Sequence, residues 1–185
     1  MRSVITRRGV LALGATAAAS VILPRPSIAS VATPRMLKFY NTHTGESLST
    51  TYWADGVYIP DALRDVKKLL RDHRSGDEHH IDVRLLDLLS ELCHKLDTHE
   101  PYHVISGYRS PKTNSLLARA SHGVAKRSLH MVGEAIDIRV PGRDLSRVHK
   151  AALSLRRGGV GYYPASDFVH VDVGRVRQWG PKHEA

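Results

Sequence analysis

The sequence predicts an α+β domain in which helices pack against a small, mostly antiparallel β-sheet. Apolar residues recur at helical spacing in 60–72, 82–96 and 145–156. Apolar and polar residues alternate in 134–140 and 168–173, which is the pattern of half-buried strands. The chain has 185 residues, of which 42% are hydrophobic, so its length and apolar content suit one such domain with its own core.

The first half of the predicted domain is a hairpin followed by two helices. Residues 37–59 indicate a β-hairpin whose turn lies at 44–46. Pro60 and Asp61 begin a helix that runs to about Asp72. The helix predicted at 82–96 is apolar over nearly a full turn, so we expect it to be the central core helix.

The second half is predicted to alternate between strands and helices. The predicted elements are a strand at 103–107, a short helix at 114–120, a strand at 134–140, a helix at 145–156, and a last strand at 168–173. Gly158 and Gly159 indicate a turn before this last strand. The resulting domain covers 37–180, with a tether at 30–36 and a tail at 181–185.

The first 29 residues indicate a twin-arginine export signal. Arg7 and Arg8 precede an apolar run at 10–23, and Ser27-Ile28-Ala29 matches a small-x-small cleavage site. The run is short for a membrane span, so we expect no stable membrane anchor. We expect the twin-arginine translocase as export partner and the periplasm as location. A Sec signal and an uncleaved anchor are the alternatives.

Net charge narrows the class of partner. Cleavage after Ala29 would remove four arginines and no acidic residue, lowering the formal charge from +9 to +5. A moderately basic surface suits an anionic cell wall. Basic residues are scattered and no nucleic-acid motif is present in the sequence, so we expect no nucleic-acid partner. The single cysteine, Cys93, offers no intramolecular disulfide and lies in an apolar helical pattern.

His130, Asp137 and His170 are the candidate metal ligands. Two imidazoles and one carboxylate commonly hold a catalytic zinc with one position left open for water. Asp137 and His170 fall on the polar faces of the two alternating strands, and Gly133 permits a turn that returns His130 towards them. From the pattern alone, two ordinary amphipathic strands with a polar outer face remain the alternative.

Three groups of motifs resemble a known enzyme family. His130-x6-Asp137 followed by Asp167-x2-His170, together with the segment at 104–114, resembles the zinc D-Ala-D-Ala metallopeptidases of the Hedgehog/DD-peptidase fold. The segments at 37–46 and 69–74 are more narrowly similar to murein endopeptidases of the K type. The resemblance implies that His130, Asp137 and His170 hold Zn²⁺.

The same resemblance implies two catalytic residues. Asp167 lies where related metallopeptidases carry a carboxylate general base, and a turn-capping aspartate is the alternative. Arg109 is expected to stabilise an oxyanion or to hold a substrate carboxylate, and an arginine that caps a loop is the alternative. Ser106, Ser128 and Asp172 are weaker candidates for residues that orient the ligands.

The resemblance therefore implies a zinc-dependent murein endopeptidase that hydrolyses amide bonds in crosslinked stem peptides of peptidoglycan. A D,D-carboxypeptidase or D-Ala-D-Ala dipeptidase on the same site is one alternative. A non-catalytic, zinc-containing cell-wall-binding protein is another, although such a protein could dispense with Asp167 and Arg109.

Overall fold

The computed structural model describes residues 33–120 and 124–181. The predicted export signal at 1–29 and nearly all of the tail at 181–185 lie outside the described residues. Within the described ranges, no helix is long and apolar enough to cross a membrane.

The described strands form one mixed sheet, which confirms the predicted α+β class. The strands are β1 (Arg35–Asn41), β2 (Ser47–Ala54), β3 (Val57–Tyr58), β4 (Tyr102–Ser106), β5 (Ala135–Arg139), β6 (Gly159–Tyr163), β7 (Phe168–Asp172) and β8 (Arg177–Trp179). Their order across the sheet is β3-β2-β1-β4-β5-β7-β6-β8. The β1–β4 and β6–β8 pairs are parallel, whereas the other neighbours are antiparallel.

The described α-helices lie in segments that the sequence predicted as helical, and all of them but the one at Pro111–Ala120 contribute apolar side chains to the hydrophobic core. They are α1 (Pro60–Leu69), α2 (Val83–Leu96), α3 (Pro111–Ala120) and α4 (Leu145–Leu155), with short 3-10 helices at Leu129–Val132 and Pro164–Ser166. The prediction that α2 is the central core helix is confirmed, since Leu85, Leu86 and Leu89 are 0% exposed. The Asp82 side chain caps its first turn by accepting a hydrogen bond from the Arg84 N–H.

The N-terminal hairpin begins earlier than predicted. Strand β1 starts at Arg35, inside the segment predicted as a tether. The Arg35 guanidinium lies 4.5 Å from the Trp53 ring centroid and 2.7 Å from Asp87 Oδ1. These two contacts fix a residue that the hydrophobic pattern does not mark as part of a strand.

The prediction of a turn at Gly158 and Gly159 is wrong for the second of these glycines. Gly159 begins β6, and the short parallel strand β8, absent from the prediction, pairs with it. Gly159 lies opposite Arg177 and Gly161 lies opposite Trp179. A Cβ at Gly161 would lie 2.6 Å from the Trp179 ring, so the glycines make room for the side chains of β8.

Candidate metal centre

Strands β5 and β7 place two of the three predicted metal ligands side by side. Asp137 pairs with His170 in the antiparallel register. Their neighbours Ile136 and Val171 are 0% exposed and pack in the hydrophobic core. The alternation predicted from the sequence therefore gives an apolar face in the core and a common face that carries the carboxylate and the imidazole.

A single 3-10 turn brings His130 to the same place. Ser128 begins the turn, and its Oγ accepts a hydrogen bond from the His130 N–H at 3.4 Å. Gly133 ends the turn in the left-handed region, with φ 70°, where glycine is favoured. The predicted return of His130 towards Asp137 is therefore made by a 3-10 turn that ends at Gly133.

The donor atoms of His130, Asp137 and His170 form a compact buried cluster. His130 Nε2 lies 3.2 Å from His170 Nδ1 and 3.3 Å from Asp137 Oδ1. His170 Nδ1 and Asp137 Oδ1 lie 2.8 Å from each other. Tetrahedral ligands about 2.1 Å from zinc lie about 3.4 Å from one another. The donor atoms lie slightly closer together than the ligands of a tetrahedral zinc ion. A small outward movement would accommodate the ion, so the donor set fits a metal ion.

The charges of the cluster are set by its burial and by its hydrogen bonds. Burial opposes ionisation of Asp137, but His130 and His170 hold the pKa of that carboxyl well below its usual range. Burial would also lower the pKa of His170, but hydrogen bonds to Asp137 and Asp172 outweigh it and raise the pKa to about 9. At neutral pH an anionic Asp137 carboxylate therefore lies against a protonated His170 ring, whose Nδ1 proton a metal ion would displace on binding.

Each imidazole is oriented by an acceptor on its far side. His130 Nδ1 donates to the Gly107 carbonyl at 2.7 Å, and His170 Nε2 lies 3.2 Å from Asp172 Oδ2. Because a carbonyl or carboxylate can only accept, the far-side nitrogens of both rings can keep their protons when a metal replaces the protons between Asp137 Oδ1 and the nitrogens His130 Nε2 and His170 Nδ1. Asp172 thus occupies the orienting position that the sequence suggested.

Arg109 lies at the edge of the cluster. Its Nη2 is 3.5 Å from Asp137 Oδ2 and 3.2 Å from Ser106 Oγ, and its Nη1 is 3.4 Å from Asn114 Oδ1. The side chain is 11% exposed, and burial lowers the pKa of its guanidinium. Its Nε has no hydrogen-bond partner among the described residues. A buried cation with a donor to spare beside the ligand set suits an anionic or oxyanionic group.

A buried carboxylate in the 69–74 motif, to which the sequence analysis gave no role, supports the Arg109 loop. Asp72 is 1% exposed, and its carboxylate accepts hydrogen bonds from the backbone N–H groups of Ser110 and Arg74, each at 2.9 Å. Burial would raise the pKa of Asp72, but hydrogen bonds from Thr113 and Ser110 hold it well below its usual range. The helix predicted through Asp72 ends at Leu69, which leaves Asp72 free to make these contacts.

Asp167 lies at the turn before β7. Its backbone is in the left-handed region with φ 51°, its side chain is 62% exposed, and its Oδ2 lies 3.3 Å from an Arg139 guanidinium nitrogen. Its neighbours Ser166 and Phe168 line the cleft above the cluster, whereas Asp167 is not among the lining residues. The structure thus brings together the three ligands and Arg109, while Asp167 is held at the rim by Arg139.

The cluster opens into a cleft of 470 Å³ with an aromatic wall. Tyr163 and Phe168 stack with ring centroids 4.5 Å apart, and Trp179 Nε1 donates to the Tyr163 hydroxyl at 2.7 Å. Tyr163 thus lines the cleft, whereas its neighbour Tyr162 stacks on His149. Trp179 was missed because no pattern in the sequence connects it with the ligands.

Comparison of the sequence with known proteins places this chain in a class of peptidases. Residues 29–179 match the family model of the peptidase family described as peptidoglycan L,D-endopeptidase MepK. The chain is 46% identical to "Peptidoglycan L,D-endopeptidase MepK" of Escherichia coli strain K12 over 175 residues, which cover 94% of this chain and 96% of that protein. The chain belongs to this family, which confirms the resemblance drawn from its motifs.

A second relative extends the match to another organism. "Probable peptidoglycan L,D-endopeptidase MepK" of Haemophilus influenzae is 43% identical over 176 residues, covering 94% of this chain and 95% of that protein. The chain therefore matches both relatives over nearly their whole length.

Proposed function

We propose that this protein is a zinc-dependent peptidoglycan endopeptidase that hydrolyses an amide bond between an L-centre and a D-centre in crosslinked stem peptides. One observation carries the proposal: two imidazoles and a carboxylate converge beside a buried arginine at the floor of a cleft. Family membership supports peptide hydrolysis, and the names of the relatives support the L,D bond.

His130, Asp137 and His170 would hold the zinc ion through Nε2, Oδ1 and Nδ1. Mixed nitrogen and oxygen ligands of this kind are typical of catalytic zinc, whereas structural zinc more often uses thiolates. When bound, zinc supplies a water nucleophile near neutral pH and polarises the scissile carbonyl. The chain contributes an anionic carboxylate and two imidazoles of fixed orientation, so the ligand set is preorganised.

Arg109 would stabilise negative charge on the substrate. Hydrolysis of an amide builds charge on the carbonyl oxygen, and a fixed guanidinium near that oxygen favours the transition state. The contacts of Arg109 with Ser106 and Asn114 hold it in place and leave Nε available on a buried group. A carboxylate of the stem peptide is the other anionic group that it can contact.

Asp167 would act as the general acid and base. In this role it takes a proton from the attacking water and passes it to the leaving amine. Its position three residues before His170 supports the role, as do its chain neighbours Ser166 and Phe168, which line the cleft. Its side chain must turn from Arg139 towards the cleft, which an exposed carboxylate can do at small cost because exposed ion pairs are weak.

Two crosslinked dimers would test which bond is cut. They differ in whether the residue that supplies the scissile carbonyl has the L or the D configuration. Purified protein should convert the L,D-linked dimer to monomers, detected by mass spectrometry, and leave the D,D-linked dimer intact. Release of terminal D-Ala from monomeric pentapeptides with both dimers intact would instead identify a carboxypeptidase. Retention of zinc and binding to sacculi without cleavage of any substrate would identify a wall-binding protein.

We also propose that residues 1–29 are a twin-arginine signal and that the zinc domain works in the periplasm. The support is the arginine pair Arg7 and Arg8 ahead of a short apolar run, together with a family whose named members act on peptidoglycan. Replacing both arginines by lysine should leave a precursor in the cytoplasm, because the translocase requires the arginines and not merely their charge. Normal export of this variant in a strain without the translocase would indicate a Sec signal.

A further inference from the structure

Asp172, the partner of His170, is enclosed by hydrogen-bond donors. It is 0% exposed, and its Oδ1 accepts from the backbone N–H groups of Gly159 at 2.8 Å and Gly174 at 2.9 Å. Arg177 donates to both oxygens, from Nη1 to Oδ1 at 3.1 Å and from Nη2 to Oδ2 at 2.7 Å. The carboxylate therefore has donors on both oxygens, and Oδ2 also faces His170 Nε2.

The backbone of β6 is shaped to admit Arg177. A Cβ on Gly159 would collide with both the Arg177 guanidinium and Asp172 Oδ2. The same guanidinium carbon lies 4.9 Å from the Trp179 ring centroid, and that ring lies 5.1 Å from the His170 ring centroid. Strand β8 thus supplies a cation that fixes Asp172 and an aromatic ring that packs beside the imidazole.

We propose that Arg177 is a positioning residue for the metal centre: its two-pronged contact fixes the Asp172 carboxylate so that Oδ2 accepts the Nε2 proton of His170 and Nδ1 is left for zinc. The inference rests on the zinc site of the proposed function and adds a residue from the C-terminal strand to it. Arg177 acts through Asp172, at one remove from the ligand.

The bidentate geometry separates this role from simple charge neutralisation. A guanidinium holds both carboxylate oxygens at once and so fixes the plane of the carboxylate, whereas an ammonium acts as a point charge. If the plane matters, lysine at this position restores only part of the zinc affinity. If charge alone matters, lysine restores all of it and the positioning role is wrong.

The test measures the zinc dissociation constant by chelator competition in the purified protein and its variants. Arg177→Met removes both donors while keeping much of the side-chain length, and Arg177→Lys keeps the charge. Arg175→Met is the matched control, because Arg175 is an exposed arginine two residues before Arg177. Outer partners of a metal ligand typically contribute 10–100-fold to metal affinity. We therefore expect about a 10-fold weaker affinity in Arg177→Met, a smaller loss in Arg177→Lys and no change in Arg175→Met.

A spectroscopic readout excludes a merely structural effect. The visible absorption of the cobalt-loaded protein reports the ligand field, so it should change in Arg177→Met while the far-UV circular dichroism stays that of the wild type. If Arg177→Met does not fold, Arg177→Lys alone decides the question. Wild-type zinc affinity and cobalt spectrum in the folded Arg177 variants would overturn the inference and leave the proposed function standing. A wild-type protein that binds no zinc would overturn both.

Discussion

The two imidazoles of the metal centre are held by different kinds of structure on its two sides. On the His130 side, the acceptor is the backbone carbonyl of Gly107, and the Arg109 N–H donates to the His130 carbonyl at 3.1 Å. On the His170 side, the acceptor is the side chain of Asp172, which is fixed by Arg177. The first imidazole is therefore oriented by the backbone, and the second is oriented by side chains that can be replaced by mutation.

This difference teaches where mutations can act. Truncating a side chain leaves a backbone carbonyl in place, so the orientation of His130 changes only when its loop moves. Any other residue at position 107 would clash with a neighbouring segment, because a Cβ there would lie 2.5 Å from the Leu70 carbonyl oxygen. The orientation of His170 can instead be altered one side chain at a time.

Removing a ligand should have the largest effect. The effect on zinc binding and activity should be the same whether the ligand lies on the His130 side or on the His170 side. His130→Ala and His170→Ala should each lose most of the bound zinc and all measurable activity, because two remaining ligands hold zinc poorly. Metal content by mass spectrometry and cleavage of crosslinked dimers are the measurements. His99→Ala, at an exposed histidine, is the control. Stoichiometric zinc in a protein that carries both His130→Ala and His170→Ala would show that the ligands have been misassigned.

Replacing Arg109 tests the His130 side while leaving all three ligand side chains in place. Arg109→Ala should retain zinc but lower kcat by about 10²–10³-fold, the scale on which a transition-state donor acts. Arg109→Lys should recover only part of this, because an ammonium does not reproduce the planar guanidinium. A loss of zinc equal to the loss of activity would make Arg109 a support for Asp137, to which its Nη2 lies 3.5 Å away.

Asp167 tests whether the residue at the rim takes part in the chemistry. Asp167→Ala should keep zinc and the fold and lose about 10²-fold in kcat, as expected for a general acid and base. Asp55→Ala is the control, because Asp55 is an exposed turn aspartate with a similar left-handed backbone and does not line the cleft. Near wild-type kcat in Asp167→Ala would reduce Asp167 to a turn residue paired with Arg139, and loss of metal with activity would make it a ligand.

Asp72 should have the smallest effect, on stability and with a defined pH dependence. Because the folded-state pKa of Asp72 is depressed, its stabilisation is present above the unfolded carboxyl pKa of about 3.9 and is lost as pH falls through the folded pKa. Asp72→Ala should lower the free energy of unfolding at pH 7 by about 1–3 kcal/mol, because the buried Ser110 N–H loses its acceptor.

Urea unfolding at pH 7 and in acid measures this effect. The difference in the free energy of unfolding between wild type and Asp72→Ala should become smaller as the pH falls below the usual range of carboxyl pKa values. Asp65→Ala, at an exposed position on α1, should show a small difference at both pH values. A difference for Asp72→Ala that stays constant with pH would mean that its hydrogen bonds do not depend on its charge.

The sequence predicts the His170 side only in part. That Asp137 and His170 share a face follows from apolar alternation, because an Ile/Val face must enter the core and its opposite face then carries the ligands, whereas their direct pairing is seen only in the structure. Strands β6 and β8 were not predicted, since the glycines of β6 suggest a turn and Arg177–Trp179 has no apolar alternation. A three-residue edge strand is defined by its neighbour and not by its own composition.

The His130 side is predictable in its residues but not in its supports. The motifs mark His130 and Arg109, whereas Asp72 is separated from Ser110 by 38 positions in the chain. Its burial depends on a loop-to-loop contact that no local pattern records. The same reason applies to the Gly107 carbonyl, which lies 23 positions from the imidazole that it orients.

Metal dependence of amide cleavage tests the central claim most directly. Crosslinked L,D-linked dimers should remain intact with chelator-treated protein and fall to monomers when one equivalent of zinc is restored, with no recovery in His130→Ala or His170→Ala. Equal cleavage by the metal-free protein, or intact dimers with one zinc bound per chain, would contradict the claim that His130, Asp137 and His170 form the catalytic centre of a peptidoglycan endopeptidase.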